Sequence, residues 1–301
     1  MNFVQPPDSV RGYLAELRRA LKGAPRGLIS DALADCEEHL NMEIAQNPDM
    51  DEAAVMAQVV ETYGSPQEIA EEYRDMEAAI STPFPQQPET TERRYGGFFS
   101  VISDPRTYGA LLYMLLSLIT GVFYFVWTIA GISITASFAI LIIGIPFALL
   151  FIGSVRMLSH VEGRIVEGLL GVRMPRRLPP TTPPDETIWT RIKDALSDLR
   201  TWTSMFYLLL MLPLGIIYFT LGIAGLSVSL GITGGSIWSL VTNHSHVQIQ
   251  GVPWLEHLLQ TAPGLVLLAA FGLLMFFFVL HMARMVGWLH GKIAEGLLVR
   301  L

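Results

Sequence analysis

The densest set of groups able to do chemistry lies near residue 250, where Asn243, His244, His246, Glu256 and His257 stand between and beside Trp238 and Trp254. Three imidazoles and a carboxylate are donor types that bind zinc or copper. Their spacing matches no established ligand signature, and His244 and His246 share a side only on extended backbone. No metal site is assigned. The same residues suit a pH-sensitive or ligand-contacting loop, or an interfacial cap whose Trp254, Leu255, Leu258 and Leu259 touch the membrane surface. Tyr124 and Tyr218, inside apolar runs, offer hydroxyls to a lipid headgroup or small ligand, or else serve packing between helices. Asp35, Glu37, Glu38 and Glu43 suit a basic face on a regulator or transporter, or plain solvation. Cys36, the one cysteine, falls on an apolar face, reads as buried rather than reactive, and leaves no intramolecular disulfide. No P-loop, dinucleotide fingerprint, Ser-His-Asp arrangement or Cys-x-x-Cys pair is present, so neither an enzyme nor a cofactor is expected.

The elements that carry these residues follow from composition. Hydrophobic residues make up 51% of the 301, charged residues 16%, and mean hydropathy is +0.43, so part of the apolar surface must face lipid. Four apolar runs, about 108–132, 134–155, 203–228 and 263–283, each reach the roughly 20 helical residues needed to cross about 30 Å of hydrocarbon. They predict four transmembrane helices, with Gly144-Ile145-Pro146 and Pro213 interrupting the second and third. No Asp, Glu, Lys, Arg or His falls in 108–155 or 203–243, which counts against ion-coupled transport and intramembrane proteolysis. Lys and Arg collect before the first run, at 156–200 and after the last run, while 130–135 and 229–262 have none. The positive-inside bias therefore puts both termini and the middle segment in the cytoplasm. No cleavable signal peptide is read at the amino terminus.

Residues 1–80 differ from the rest: six Lys and Arg stand against sixteen Asp and Glu. Such a head repels nucleic acid and anionic lipid and favours a basic protein partner. Its apolar residues fall at helical spacing in four groups: Val10, Tyr13, Leu14, Leu17 and Leu21; Ile29, Leu33, Cys36, Leu40 and Ile44; Val55, Met56, Val59, Val60 and Tyr63; and Ile69, Ala70 and Tyr73. Asp51 is placed to cap the third helix and Ser65-Pro66-Gln67-Glu68 reads as a capping box for the fourth. A Pro-rich linker, 81–98, lets the head search near the membrane while tethered.

The body reads as duplicated. Residues 104–133 align with 198–227 at an offset of 94, with 14 of 30 identical, and 156–171 align with 284–299 at an offset of 128. The expected organisation is all-α: a cytosolic head (1–80), a first parallel helix-pair repeat (99–176), a Pro-rich linker (177–187), and a second repeat (188–301) carrying an outer loop at about 229–262. Each pair is followed by a juxtamembrane amphipathic helix, with Val161, Ile165 and Leu169 or Leu289, Ile293 and Leu297 on its apolar side. Gly121, Gly131, Gly215 and Gly225 suit packing within the chain or a homo-oligomer.

The head, with YLAELRRAL near its start and Gly64, Pro66, Ile69 and Ala70 in its last helix, resembles the bacterial HAAS-type helical signalling domains. The body, with endings at Glu167-Gly168-Leu169-Leu170-Gly171 and Glu295-Gly296-Leu297-Leu298, resembles the bacterial Putative sensor domain. The resemblance implies a sensory or regulatory protein of the bacterial cytoplasmic membrane. It would work without catalytic residues of its own and signal through a PadR-like regulator, a kinase or a transporter component. The alternative is a body that binds or moves membrane lipids, or an accessory subunit of a transporter.

Overall fold

A computed structural model describes residues 7–79, 98–138, 144–176, 196–242 and 261–299. The regular elements among them are helices: α1 (Val10–Ala20), α2 (Arg26–Gln46), α3 (Glu52–Thr62), α4 (Pro66–Ala79), a 3-10 turn (Phe98–Ser103), α5 (Pro105–Phe138), α6 (Gly144–Leu170), α7 (Leu199–Thr242) and α8 (Ala262–Leu298). They gather into two compact units. One comprises Met1–Thr91, Thr128–Tyr207 and Gly291–Leu301; the other comprises Glu92–Trp127 and Leu208–His290.

In the first unit, α1 to α4 close around a core of Tyr13, Leu17, Leu21, Ile29, Ala32, Cys36, Leu40, Val55, Met56, Val59, Ile69 and Ala70. These come from the four apolar stripes, each large side chain adding about 1.5–3 kcal/mol of burial. Local chemistry fixes the helix ends. Ser9 Oγ accepts from Gly12 N at 3.2 Å, and Ser65 and Glu68 exchange backbone-to-side-chain bonds, Ser65 N to Glu68 Oε2 at 2.8 Å and Glu68 N to Ser65 Oγ at 3.3 Å. These bonds hold the exposed Glu68 carboxyl below its ordinary range. Gly64, at φ +115°, turns the chain between α3 and α4, and its carbonyl accepts from the buried Tyr13 hydroxyl at 2.9 Å. Asp51 precedes α3 but makes no side-chain cap bond; the Glu52 carboxylate instead accepts from Val10 N at 3.0 Å, spending the local acid on α1. Burial pushes the Cys36 thiol up to about 11, which keeps it protonated and inert.

Three of the long helices, α5, α7 and α8, are long and apolar enough to cross a membrane among the described residues. Their limits differ from those the sequence predicts. Helix α5 continues to Phe138 because nothing in 130–138 breaks it, and α6 begins at Gly144. The predicted second span, 134–155, covers the end of α5 and the start of α6, and its residues 139–143 lie outside the described residues. Pro146 lies in the first described turn of α6, and the residues before Gly144, which decide whether it interrupts a longer helix, lie outside the described residues. Pro213 is inside α7, as expected.

The predicted juxtamembrane helices are not separate elements. Residues 156–170 and 284–298 are the carboxyl-terminal turns of α6 and α8, because no Gly-Pro break divides them from the apolar turns before. The outer loop also starts later than 229. Helix α7 runs through Thr242, and its polar residues bond back along the helix: Thr233 to the Ser229 carbonyl at 2.8 Å, Ser236 to Ile232 at 2.7 Å, and Thr242 to Trp238 at 2.9 Å. Satisfied in this way, Ser and Thr do not end a helix in apolar surroundings.

Within the second unit, α5 and α7 cross at backbone contact. A Cβ on Gly121 would lie 2.5 Å from the Met211 carbonyl oxygen, and one on Gly215 would strike the Ser117 carbonyl. Gly225 faces Val279 in the same unit, and Gly131 faces Phe151 in the first. All four glycines serve packing within the chain.

Candidate functional site

Helix α6 ends on Gly171, whose N–H donates to the Glu167 carbonyl at 3.1 Å and whose φ of +71° suits glycine. This left-handed residue turns the chain out of the helix, and 171–176 continue without regular structure. Arg173, Met174 and Pro175 are nonetheless buried. They meet a face of α2, at Gly27 and Asp31, that takes no part in the head core. A Cβ on Gly27 would come 2.7 Å from the Arg173 oxygen and the Met174 carbonyl carbon, so only glycine lets helix and strand-like segment meet there. On its other sides Met174 lies against Gly163 of α6, and Val172 against Gly291 of α8.

Charge fixes the junction. The Arg173 guanidinium donates from Nη2 to Asp31 Oδ2 on α2 and from Nε to Glu77 Oε1 on α4, both at 2.9 Å, and from Nη1 to the Met174 carbonyl. Asp31 also accepts the Arg176 backbone N–H, at 2.9 Å on Oδ1 and 3.0 Å on Oδ2. Arg176 in turn donates to Glu167 Oε1 at 3.1 Å and stands 4.0 Å from Glu77 Oε2. The Arg173 and Asp31 side chains keep only 4% and 9% of their exposure, so the pair is desolvated and each partner is held by more than one bond. Arg26 to Glu295, at 3.9 Å with Arg26 56% exposed, adds a looser contact to the end of α8. The head is thus docked on the ends of α6 and α8. The tether argument from linker composition does not anticipate this contact.

A second pattern occurs in both units. In the first, Arg156 donates to Asp198 Oδ2 at 3.1 Å and the Tyr207 hydroxyl to Glu162 Oε1 at 3.4 Å. In the second, Arg284 pairs with Asp104 at 3.5 Å and the Tyr113 hydroxyl with His290 Nε2 at 2.5 Å. Asp198 and Asp104 also accept the N–H two residues on, from Arg200 at 2.9 Å and Arg106 at 3.1 Å. Just outside those helix starts, the Trp202 indole donates to the Leu196 carbonyl and the Tyr108 hydroxyl to Ile102, each at 2.8 Å. The residues in the two sets are related by the offsets of 94 and 128.

Of the residues singled out from sequence, Tyr124 and Tyr218 are buried in the second unit, Tyr124 edge-on to Phe123 and Tyr218 edge-on to His290. The Tyr218 hydroxyl has no hydrogen-bond partner among the described residues. Trp238 is exposed on α7. His244, His246, Trp254, Glu256 and His257 lie outside the described residues. Glu37 and Glu38 are exposed on α2, Glu43 is half-buried, and Asp35 turns inward to accept the Tyr73 hydroxyl at 2.7 Å, which together with burial raises the Tyr73 phenol well above its ordinary range. Asp31, Glu77, Arg173 and Arg176 were not among the sites read from sequence. The available signal was the second face of α2, where Gly27 and Asp31 stand one turn apart.

Comparison with known proteins distinguishes the head from the body. The profile of the Putative sensor family matches residues 113–298 and that of the HAAS family matches residues 12–72. No curated protein and no solved structure matches the chain. A chain matched by one profile over most of its length and by the other across its acidic head belongs to the Putative sensor family and carries an HAAS domain at its amino-terminal end.

Proposed function

We propose that this chain is a membrane sensory adaptor. Its body crosses the bilayer four times with both ends in the cytoplasm, responds to a lipid, envelope state or small amphiphile, and reports through the head to a cytosolic protein. Both matched families are signalling families without catalytic chemistry. The matching contacts at offsets of 94 and 128 support a body made of two parallel helix pairs. The observation that carries the reading is Arg173, desolvated between Asp31 and Glu77 and only three residues beyond the end of α6. Because α6 and its final turns form one continuous helix, a tilt or shift of the apolar part moves the Arg173 anchor with it. The membrane signal then becomes a change in how firmly the head is held. The exposed Glu37 and Glu38 on α2 offer a basic partner face an initial contact.

Cross-linking in cells followed by purification tests this reading. One soluble or transporter partner is expected with the full chain, more of it with Arg173→Ala, and none after deletion of residues 1–80. Equal recovery with and without those residues would overturn it.

A further inference from the structure

We propose that the Asp31–Glu77 face of the head is a docking surface for an extended Arg–apolar–Pro–basic segment, and that residues 173–176 are its occupant in cis. This deepens the reading above by giving the partner's chemistry, and it rests on that reading.

The surface is built within the head. Asp31 belongs to α2 and Glu77 to α4, and both helices are fixed by a core that includes none of Gly27, Leu28 or Asp31. Without the segment, Asp31 and Glu77 would lose the bonds to Arg173 and to the Arg176 N–H, while the core that places their helices would be unchanged. What binds there is recognised as a peptide is recognised. One guanidinium is shared between two carboxylates and the Met174 carbonyl through three separate nitrogens, a spread that the single nitrogen of lysine does not reproduce. Asp31 takes a main-chain N–H three residues later, a contact blind to side chain. Pro175 between them has no N–H to satisfy and biases Met174 to extended backbone. Gly27 leaves room for the main chain at Met174 itself.

The segment belongs to no helix and leaves α6 at a left-handed glycine. It is held in cis by its high effective concentration, which a partner presenting the same pattern must overcome. Loosening of the cis segment by the body would therefore admit the partner to the same carboxylates.

The probe is a labelled peptide, GVRMPRR, copied from residues 171–177. It is titrated into the full chain in lipid nanodiscs and followed by fluorescence anisotropy. In the unsubstituted chain the surface is occupied, so apparent affinity falls by the unoccupied fraction. The Arg173→Ala and Arg173→Met chains are expected to bind the peptide at least about tenfold more tightly, the methionine variant keeping the bulk of the side chain. Adding Asp31→Asn to either, or placing alanine at the peptide's first arginine, is expected to abolish the gain.

Head release in the same samples is read by hydrogen exchange at α2. Release without any gain in peptide binding overturns the docking surface and leaves the adaptor reading standing. A gain that survives Asp31→Asn also overturns it, as generic charge attraction. Failure of both arginine variants to release the head overturns the adaptor reading, and this inference with it.

Discussion

Replacing Arg173 by alanine is expected to weaken the docked state of the head by about 3–5 kcal/mol, the usual cost of removing one partner from a desolvated ion pair. Asp31 and Glu77 would each lose their closest cation in a place that water reaches poorly, Asp31 keeping the Arg176 N–H and Glu77 the longer contact to the Arg176 guanidinium. The cost is chiefly that of buried carboxylate charge left with weaker compensation. Hydrogen exchange at the amino-terminal turns of α2 reads the loss. A double-mutant cycle with Asp31→Ala should show that the second substitution adds much less once the first is made. Arg26→Ala supplies the contrast. Its guanidinium is over half exposed at 3.9 Å from Glu295, so about 1 kcal/mol or less is expected. Equal effects at Arg26 and Arg173 would mean that the junction is held by general charge attraction.

The second large effect is expected at the α5–α7 crossing. Gly121→Val should cost about 3 kcal/mol, because the neighbour of the new Cβ is the Met211 carbonyl, main chain that cannot rotate aside. Adding Gly215→Val meets the Ser117 carbonyl on the facing helix and forces the two helices apart. Gly153 and Gly168 have nothing within 4 Å of an added Cβ, so alanine there is expected to be neutral or to stabilise by up to about 1 kcal/mol through helix propensity. Thermal unfolding in detergent separates the two classes: a drop for Gly121→Val together with no drop for Gly153→Ala is the predicted result. Similar drops at both would show that the loss does not come from the α5–α7 crossing.

How far the molecule was legible in its letters follows from the range of each force. The head was readable because burial at a 3.6-residue period marks the sequence directly: Tyr13, Leu17, Cys36, Leu40 and Val59 stand where the stripes place them. The Ser65–Glu68 box was equally local. Helix limits in the body were harder, since lipid penalises an unpaired N–H more than it penalises an extra turn. Helices α5 and α7 therefore run through 130–138 and 229–242, where the sequence reading ends the first span at about 132 and opens the outer loop at about 229. The junction was hidden for another reason. Arg173 and Arg176 counted in the sequence as basic residues that set orientation, and nothing local tells a snorkelling arginine from one that bonds an aspartate 142 positions away. Gly27 and Asp31, on the face of α2 opposite its apolar stripe, were the trace of that contact.

The most direct test of a head anchored to the end of α6 is the distance between spin labels at Glu38 on α2 and Met157 on α6, both exposed, measured in bilayers on a Cys36→Ala background. A single narrow distribution that broadens with Arg173→Ala is predicted. A broad distribution in the chain that keeps Arg173 would contradict it.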